Sequence, residues 1–459
     1  MTAADEQPVG HSSLRLAAGF ELLAESLRTA ARAGEVIFMQ WRAESSDFVR
    51  FNDARIRQAG TVGRCGAELR LIDGGRVAQA QLTLAGDAPG DAGRMRQTLD
   101  MLRTVVAQSP VDPWLIFDEQ PAQSFECSTA APPSPDELGR VIRQAAGGAD
   151  LVGFWMAGPM AIGLASSLGH RHYHEAPGWS FDFSIYARRD DVRDKAIKSS
   201  AAGTDWQPDR VTAAIARARS QLPLLEQPVR RLAPGRYRAW LAPRAAADLL
   251  GMLNWGGFSG RALQTGQSPL TLLQRDERRF DPRVNLTEDL VLARAPRFQS
   301  DGFVRPDRVA LVRDGRFAGA LVSPRTAREF SIPSNGAASG EGAQSMALAP
   351  GTLADDDALA ALGTGLAVSN LWYLNFSDRA AGRVTGMTRF ATLWVEDGRP
   401  VAPVEVMRFD DSLYELFGDR LEALGAAGHW LPDTDSYDWR AFGGVSTPAL
   451  LIGGMDFTL

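Results

Sequence analysis

The apolar pattern in the first half of the chain changes from a helical period to a strand period near Glu35. Apolar residues between positions 13 and 33 recur at helical spacing, which predicts an amphipathic opening helix. Further helices are predicted at residues 91–106, 136–147 and 208–221. Alternating runs predict strands at residues 36–41, 47–51, 66–72, 77–84, 151–156, 162–168 and 180–188. Asp73-Gly74-Gly75 predicts a turn, and residues 191–200 form a short polar segment.

A proline-rich break separates this half from the next. Three prolines lie between residues 223 and 234, together with the pair Arg230-Arg231. Such a stretch is typical of a linker, and a chain of 459 residues is long enough for two domains. The pattern therefore predicts an N-terminal α+β domain with an antiparallel sheet over residues 1–228, and a second domain over residues 229–459.

The second half consists mainly of short strands separated by glycine and aspartate turns. Hairpins are predicted over residues 309–322 and 391–404, around Asp314-Gly315 and Asp397-Gly398, because these dipeptides favour tight turns with positive φ. Helices are predicted at residues 243–255, 355–366 and 411–424. Residues 331–351, rich in Gly, Ser and Ala, predict a mobile surface loop, with an active-site or interface flap as the alternative. This half is predicted to be a barrel-like or sandwich-like β domain with a few helices.

Composition and charge narrow the class of protein. The net charge of -6 argues against a nucleic-acid partner, because phosphate contacts need concentrated Lys and Arg. No apolar run approaches the roughly 20 residues of a membrane span, and residues 1–11 show no secretory signal. The two cysteines, Cys65 and Cys127, are too few for a disulfide framework. We therefore expect a cytoplasmic protein with no membrane partner.

Three histidines are the first candidate for chemistry. His170, His172 and His174 alternate along the chain, so on a strand their side chains would share one face. Imidazoles at this spacing can chelate zinc, copper or nickel, which makes the three residues candidate metal ligands. The alternative is a polar strand end whose histidines face solvent or a binding partner.

A second candidate is the segment at residues 370–376, where apolar and polar residues alternate and aromatic residues are close together. The pattern favours a core strand. The alternative is an edge strand that accepts an extended peptide by strand addition. In that case the candidate peptide- or partner-binding residues are Asn370, Trp372, Tyr373 and Asn375.

The same stretch carries a resemblance to a known family. Asn370-Leu371, Thr385-Gly386 and the run from Trp394 to Gly398 resemble the signature of the TldD/PmbA family, also called the modulator of DNA gyrase family. Weaker matches cover most of the chain. The resemblance implies an N-terminal α+β domain followed by a barrel-like β domain, and a link to a zinc-dependent peptidase. It does not imply DNA binding.

The resemblance also implies one of two kinds of subunit. A TldD-type subunit carries His-Glu-x-x-x-His on a helix early in the second domain, and a later cysteine completes its zinc site. A PmbA/TldE-type subunit lacks this motif and pairs with a TldD-type subunit. In this chain Gly251, Met252 and Gly256 stand in the motif positions, and both cysteines precede residue 130. We therefore expect no catalytic residue and no bound cofactor here, with zinc in a TldD-type partner.

Three functions remain open. The first, which we favour, is the non-catalytic subunit of a TldD/TldE-type metallopeptidase complex in peptide processing or proteolysis. The second is an independent metal-dependent peptidase with a site near His170, His172 and His174. The third is a homodimeric or larger homo-oligomeric protein that binds peptides without catalysis. The tail at residues 430–439, rich in aspartate and aromatic residues, is a candidate subunit contact in the first and third.

Overall fold

A computed structural model of the protein describes residues 13–188 and 195–458. Its N-terminal half is a seven-stranded, mainly antiparallel sheet with helices packed on one face. The helices are α1 (Ser13–Ala30), α2 (Ala88–Val106), α3 (Pro135–Ala146) and α4 (Pro208–Leu225). The strands are β1 (Val36–Asn52), β2 (Arg55–Asp73), β3 (Arg76–Thr83), β4 (Gln123–Cys127), β5 (Asp150–Ser166), β6 (Arg171–Tyr186) and β7 (Ala196–Gly203).

The strands of this sheet are longer than predicted. Residues 36–41 and 47–51 lie in the single strand β1, and residues 151–156 and 162–168 lie in β5. Each long strand crosses two cores in turn, one under α1 and α2 and one under α3 and α4. The middle of each strand is polar or contains glycine, so the sequence pattern predicted two short strands where the structure has one long strand. Strand β7 was missed, and the part of the predicted polar segment at 191–194 lies outside the described residues.

The two faces of the sheet differ because side chains alternate along each strand. Odd-numbered residues of β1, β5 and β6 carry the apolar side chains that pack against the helices. Even-numbered residues of β1 face the other way, among them Arg42, Glu44, Ser46 and Arg50. This second face is polar, and part of it is covered by the C-terminal half.

The C-terminal half contains a closed five-stranded barrel, which is the first of the two predicted forms, barrel-like and sandwich-like. The ring runs β13–β8–β20–β16–β14 and returns to β13. A six-stranded sheet in the order β11–β10–β9–β12–β19–β18 lies beside it. The strands are β8 (Gly235–Leu241), β9 (Leu286–Asp289), β10 (Arg308–Arg313), β11 (Arg316–Phe317), β12 (Ser345–Leu348), β13 (Gly365–Asp378), β14 (Arg383–Glu396), β15 (Arg399–Pro403), β16 (Arg408–Ser412), β17 (Leu421–Leu424), β18 (His429–Pro432), β19 (Gly444–Thr447) and β20 (Leu450–Phe457).

Short helices connect these strands. They are α5 (Pro243–Asn254), α6 (Gly260–Gln264), α7 (Thr271–Gln274), α8 (Pro324–Phe330), α9 (Ala358–Leu362) and α10 (Leu413–Leu416). None of the helices in the described residues is long and apolar enough to cross a membrane.

Two predicted helices are wrong in part or in whole. The helix predicted at residues 355–366 stops at Leu362, because Gly363 has a φ of 64° and turns the chain into β13. Residues 411–424 form the end of β16, the single turn α10 and strand β17. Their apolar side chains enter the barrel core from α10, from Phe417 after it and from β17, and helical spacing alone could not distinguish this arrangement from one helix.

The predicted hairpin turns are confirmed. Asp314 and Gly315 have φ values of 48° and 71°, and Asp397 and Gly398 have values of 49° and 74°. Two successive positive φ angles define the tight hairpin turn that these dipeptides favour. Strand β11 after the first turn is only two residues long, however, whereas the pattern had predicted a strand to residue 322.

The segment at residues 331–351 is packed against the C-terminal half rather than forming an open surface loop. It contains β12, and Ala337 and Glu341 are buried. The Glu341 carboxylate accepts hydrogen bonds from Ser259 Oγ at 2.7 Å and from the backbone N–H groups of Arg261 and Ser323, each at 2.8 Å. One buried side chain therefore anchors the middle of this segment.

The two halves share a hydrophobic core. Leu151 and Ile215 of the N-terminal half belong to the same buried cluster as Leu393 and Val395 of the barrel. The predicted linker at residues 223–234 begins inside α4, which continues through Pro223 to Leu225. The connection between the halves is thus shorter than the proline pattern suggested, and the boundary at residue 228 stays a prediction.

Candidate functional site

Helix α5 is the element on which the resemblance predicts a metal motif. Pro243 occupies its first turn, where its missing N–H needs no partner. Leu249, Leu250 and Leu253 are buried in the core of the C-terminal half. Trp255, which follows the helix, is exposed. The helix is therefore held rigidly by one side while its C-terminal end reaches the surface.

The three motif positions differ sharply in environment. Gly251 is exposed, and no atom lies within 4 Å of the place where its Cβ would stand. Met252 is 5% exposed and packs in the core. Gly256 lies beyond the helix with a φ of 75°, and a Cβ there would be 2.7 Å from an Arg379 guanidinium nitrogen. Neither two glycines nor a buried thioether supplies the nitrogen or carboxylate ligands that zinc requires, so zinc does not fit this helix.

Asp248, one turn before Met252, joins α5 to the barrel. Its Oδ2 accepts a hydrogen bond of 3.1 Å from the backbone N–H of Leu371 on β13. Burial raises the pKa of the Asp248 carboxyl to about 6, although Arg244 opposes the shift. Asp248 is not among the candidate residues predicted from the sequence. The signal was available, since Asp248 is the one carboxylate on an otherwise apolar stretch of the helix.

Strand β13 has two different parts. It pairs with β14 along most of its length, but with β8 only from Leu366 to Val368. In the described residues no strand pairs with the other edge of residues 370–376. The first part is therefore a core strand that closes the barrel, and the second part is an edge strand. Residues 370–376 lie entirely in the second part, so they form an edge strand and not the core strand that the pattern favoured, although Asn370 and Leu371 are buried. Peptide binding at this edge stays a prediction.

The four candidate binding residues on this strand are not equivalent. Trp372 and Tyr373 are 45% and 75% exposed, and Asn375 is also exposed. Asn370 is buried, and its Oδ1 has no hydrogen-bond partner among the described residues. The φ of 58° at Tyr373 marks the irregular pairing between Trp372 and Asn375. The structure thus places three of the four at the surface and one inside.

Two groups of aromatic and arginine side chains lie along the second part of β13, and we call them together the Trp–Arg surface. Trp255, Phe376 and Arg379 lie at the exposed end of α5. Trp372, Tyr373 and Arg389 form the other group. The Arg379 guanidinium lies 4.7 Å from the Phe376 ring centroid. The Arg389 guanidinium lies 4.3 Å from that of Trp372. Exposed Trp, Tyr and Arg are enriched where proteins bind other proteins.

The three histidines are buried, so a strand end that faces solvent is excluded. His170 Nδ1 shares a hydrogen bond of 2.7 Å with Ser166 Oγ, and His172 Nδ1 shares one of 2.8 Å with Ser124 Oγ. His174 lies 3.2 Å from Glu126 Oε2 through Nδ1. Its Nε2 lies 2.9 Å from the carbonyl oxygen of Arg294.

These contacts do not assemble a three-histidine metal site. No three His, Cys, Asp or Glu side chains converge as metal ligands anywhere in residues 13–188 and 195–458. Both nitrogens of His174 are already engaged, whereas the Nε2 atoms of His170 and His172 are buried without a partner in the same part of the chain. Burial lowers the pKa of all three, that of His172 to about 4, and at His174 the Glu126 carboxylate opposes the shift.

The two cysteines lie in the N-terminal sheet, on β2 and β4. Burial raises the pKa of the Cys65 thiol to about 11, so it is neutral and a poor nucleophile at neutral pH. Burial also raises the pKa of the more exposed Cys127. Neither thiol belongs to the surface around α5.

The tail predicted as a subunit contact packs largely on its own chain. Trp439 lies against the N-terminal sheet, with the Arg42 guanidinium 5.3 Å from its ring centroid. Arg440 is buried and donates to the carbonyl oxygens of Gly158 and Gly178 at 3.0 and 2.6 Å. We call residues 433–443 the strap. Tyr437 is 96% exposed and leaves part of the strap free to contact another molecule.

Comparison with known proteins gives the fold and the family. Residues 234–459 match the family model described as PmbA/TldA metallopeptidase C-terminal domain. TldE from Thermococcus kodakarensis has a similar structure, with a TM-score of 0.78 and 16% identity over 96% of this chain and 100% of that one. A candidate modulator of DNA gyrase from Thermotoga maritima has a TM-score of 0.75 and 14% identity over 95% of this chain and 99% of that one. A candidate modulator of DNA gyrase from Bacteroides thetaiotaomicron has a TM-score of 0.75 and 15% identity over 98% of this chain and 100% of that one. No curated protein matches.

Proposed function

The chain belongs to the TldD/PmbA family of metallopeptidase-related proteins, and we propose that it is a non-catalytic, PmbA/TldE-like subunit. It would act with a TldD-type metallopeptidase subunit in peptide processing or proteolysis. Zinc would reside in that partner. The two free thiols agree with the reducing conditions of the cytoplasm, where we propose that the complex works.

One observation carries this proposal. In the alignment that the resemblance implies, Gly251, Met252 and Gly256 stand where the family's zinc-binding subunits carry His, Glu and His, and the sequence has no His between His174 and His429. Zinc-assisted peptide hydrolysis needs about three protein ligands, a bound water and a carboxylate that takes the proton of that water. At these positions the chain offers an exposed glycine, a buried thioether and a glycine in a left-handed conformation. The chemistry would therefore come from the partner.

The surface around α5 is what this subunit would contribute. The Trp–Arg surface offers large side chains that lose little conformational entropy on binding. Beyond Leu371, whose N–H is already bonded to Asp248, the open edge at residues 372–376 offers backbone N–H and C=O groups to an extended chain. We propose that Trp372, Tyr373 and Asn375 contact the partner subunit or its peptide substrate here. Asn370 would act from inside, by holding the strand.

The open edge also supports a second candidate function. A homo-oligomeric protein that binds peptides without catalysis would use the same residues, because strand addition needs no metal. An independent metallopeptidase centred on the buried histidines has weaker support, since His174 has both ring nitrogens engaged.

The test is co-expression with a TldD-type protein from the same genome. We expect the two chains to co-purify and the complex to contain one zinc per pair and to cleave unfolded peptides. We expect this chain alone to retain no stoichiometric zinc and to be inactive. In the partner, replacing the first His of His-Glu-x-x-x-His by Ala should abolish both zinc and cleavage. Replacing His172 here by Gln should change neither.

Two results would decide against the proposal. Stoichiometric zinc and hydrolysis in this chain alone would favour the independent enzyme. A stable homodimer that binds peptides but never associates with a TldD-type protein would favour the non-catalytic binding protein.

A further inference from the structure

We propose that a cleft on the uncovered face of the N-terminal sheet is a second binding site, specific for an acidic, extended segment of peptide. The cleft has a volume of about 770 Å³. The residues that matter for its chemistry are Arg50, Arg57, Phe154, Asp182, Lys198 and Ser436. We call it the basic cleft. The proposal rests on the proposed function, because it assigns a substrate class to a subunit that handles peptides.

The cleft forms where the C-terminal half leaves the polar face of the sheet open. Its floor consists of side chains from β1, β5 and β6 that point away from the helices. Thr434 and Ser436 of the strap form one wall. The strap is held in place by Arg440, whose guanidinium donates to Ser46 Oγ and to two backbone carbonyls. The wall is therefore a fixed part of the fold.

The charges in the basic cleft do not cancel. Lys198 is paired with Asp182. Arg50 and Arg57 have no carboxylate within ion-pair distance in the described parts of the chain, and both are exposed. Two uncompensated guanidinium groups in one concave site attract an anion, even though the whole chain carries a net charge of -6.

The cleft also has an apolar component. The Arg50 guanidinium lies 5.5 Å from the Phe154 ring centroid, so cation and ring form one combined surface. Val152 and Met156 lie beside Phe154 in the lining, and Ser180 and Ser184 add hydroxyl groups. Such a lining suits a peptide in which acidic and apolar residues alternate. A nucleic acid would need many more phosphate contacts than two arginines can supply.

The basic cleft is continuous with the Trp–Arg surface. Lys198 Nζ lies 5.7 Å from the Phe390 ring centroid, and the Arg389 guanidinium lies 5.4 Å from the same ring. Arg389 in turn stacks on Trp372 at the open edge of β13. An extended peptide held at that edge would pass Arg389 and Lys198 and enter the cleft. Its acidic segment would thus be selected at a distance from the partner's zinc.

Fluorescence anisotropy with the full-length chain alone tests this inference. Three labelled peptides of equal length would be compared, with Leu and Phe alternating with Glu, with Gln or with Lys. We expect the Glu peptide to bind at least about tenfold more tightly than the Gln peptide, with affinity that falls as salt rises. The double variant Arg50→Glu/Arg57→Glu should lose that preference. The matched control is Arg217→Glu, an exposed arginine on α4 beyond the other face of the sheet.

Circular dichroism of each variant ensures that a loss of binding is not a loss of folding. Equal binding of the Glu and Gln peptides, no binding of either, or an unchanged preference in the double variant would each overturn the inference. A failure here would leave the pairing with a TldD-type subunit untouched, because no partner and no cleavage enter the measurement. Conversely, if co-expression shows no association with a TldD-type protein while the Glu peptide still binds selectively, the basic cleft stands and only the pairing fails.

Discussion

The environment of residue 252 on α5 does not suit the carboxylate of a general base. Met252 is buried among the leucines of the helix and the barrel core, whereas its neighbour Gly251 faces open space. A carboxylate at position 252 would be desolvated by the core around it, which is far less favourable than the same carboxylate one residue earlier. Local burial, and not only the residue type, thus opposes a metal motif on this helix.

This difference predicts the outcome of a matched pair of substitutions. Met252→Glu should lower the free energy of unfolding by about 3–5 kcal/mol, because it loses core packing and buries an ionisable group. Gly251→Ala should raise it by about 0.5–1 kcal/mol, because alanine favours the helix and its Cβ meets no atom. Urea denaturation followed by circular dichroism measures both. A stable Met252→Glu protein would show that the core reorganises around the charge.

His172 makes stability depend on pH. Burial lowers its folded-state pKa to about 4, below its ordinary value of 6.5. A group whose folded pKa is depressed binds fewer protons when folded, so it destabilises the fold as pH falls below 6.5. One unit below that value the loss from His172 should be about 1.4 kcal/mol, and it should grow until the pH nears 4.

His172→Gln should remove this part of the pH dependence. Thermal unfolding at about pH 7.5 and pH 5.5 would show a smaller decrease in the midpoint for the variant than for the wild type. His429→Gln is the control, since His429 is partly exposed and pairs with the exposed Asp355. The same decrease in all three proteins would show that other groups set the pH dependence.

The burial of these histidines could not be predicted from their local sequence. Their alternation did predict a shared face of a strand, and His172 and His174 do lie on one face of β6. The groups that bury them come from distant positions, such as Phe298 stacked on His172 and the Arg294 carbonyl at His174. The absence of His-Glu-x-x-x-His from α5, by contrast, could be predicted from the sequence, because it depends on residue types alone.

At the scale of elements, short-range signals predicted turns well and strand lengths poorly. Asp314-Gly315 and Asp397-Gly398 fix their turns through positive φ angles, which are a property of a few adjacent residues. The length of β1 depends instead on two separate cores that lie side by side under one strand. The packing of four helices sets that arrangement, so the length of β1 cannot be predicted from a few adjacent residues.

At the scale of elements, we predict that the hydrogen bonds of Glu341 stabilise the segment at residues 331–344. Burial by itself raises the pKa of this carboxyl, but hydrogen bonds from Thr326, Arg261, Ser259 and Ser323 outweigh it and leave the pKa lowered. The stabilisation is therefore present above the ordinary pKa and is lost as pH falls through the lowered value. Glu341→Gln should lower the free energy of unfolding by about 2–3 kcal/mol at neutral pH.

Hydrogen exchange would show which part of the chain loses stability in Glu341→Gln. Amides at residues 332–344 should exchange faster in Glu341→Gln, while those of α5 stay protected. Glu329→Gln is the matched control, because Glu329 makes one ion pair with Arg261 at a more exposed site. Equal exchange in both variants would mean that other contacts hold the segment.

At the scale of the whole molecule, the two halves are held together by a shared core and by the strap. The strap belongs to the C-terminal half but places Arg440 through the polar face of the N-terminal sheet. Burial lowers the pKa of the Arg440 guanidinium to about 10, so it is charged at neutral pH, and the backbone N–H of the same residue donates to Glu44. The two predicted domains therefore follow each other along the chain, but the shared core and the strap connect them, so we do not expect them to fold independently.

Arg440→Ala should separate the strap from the sheet. It removes the donors to Gly158, Gly178 and Ser46, whose buried oxygens would then lack partners, so we expect a loss of about 3–5 kcal/mol. Limited proteolysis should then cut within residues 433–443 first. Arg231→Ala, which breaks only an exposed pair with Glu405, should change stability by less than about 0.5 kcal/mol. If Arg440→Ala unfolds in one step and resists proteolysis as the wild type does, the strap is not needed to join the two halves.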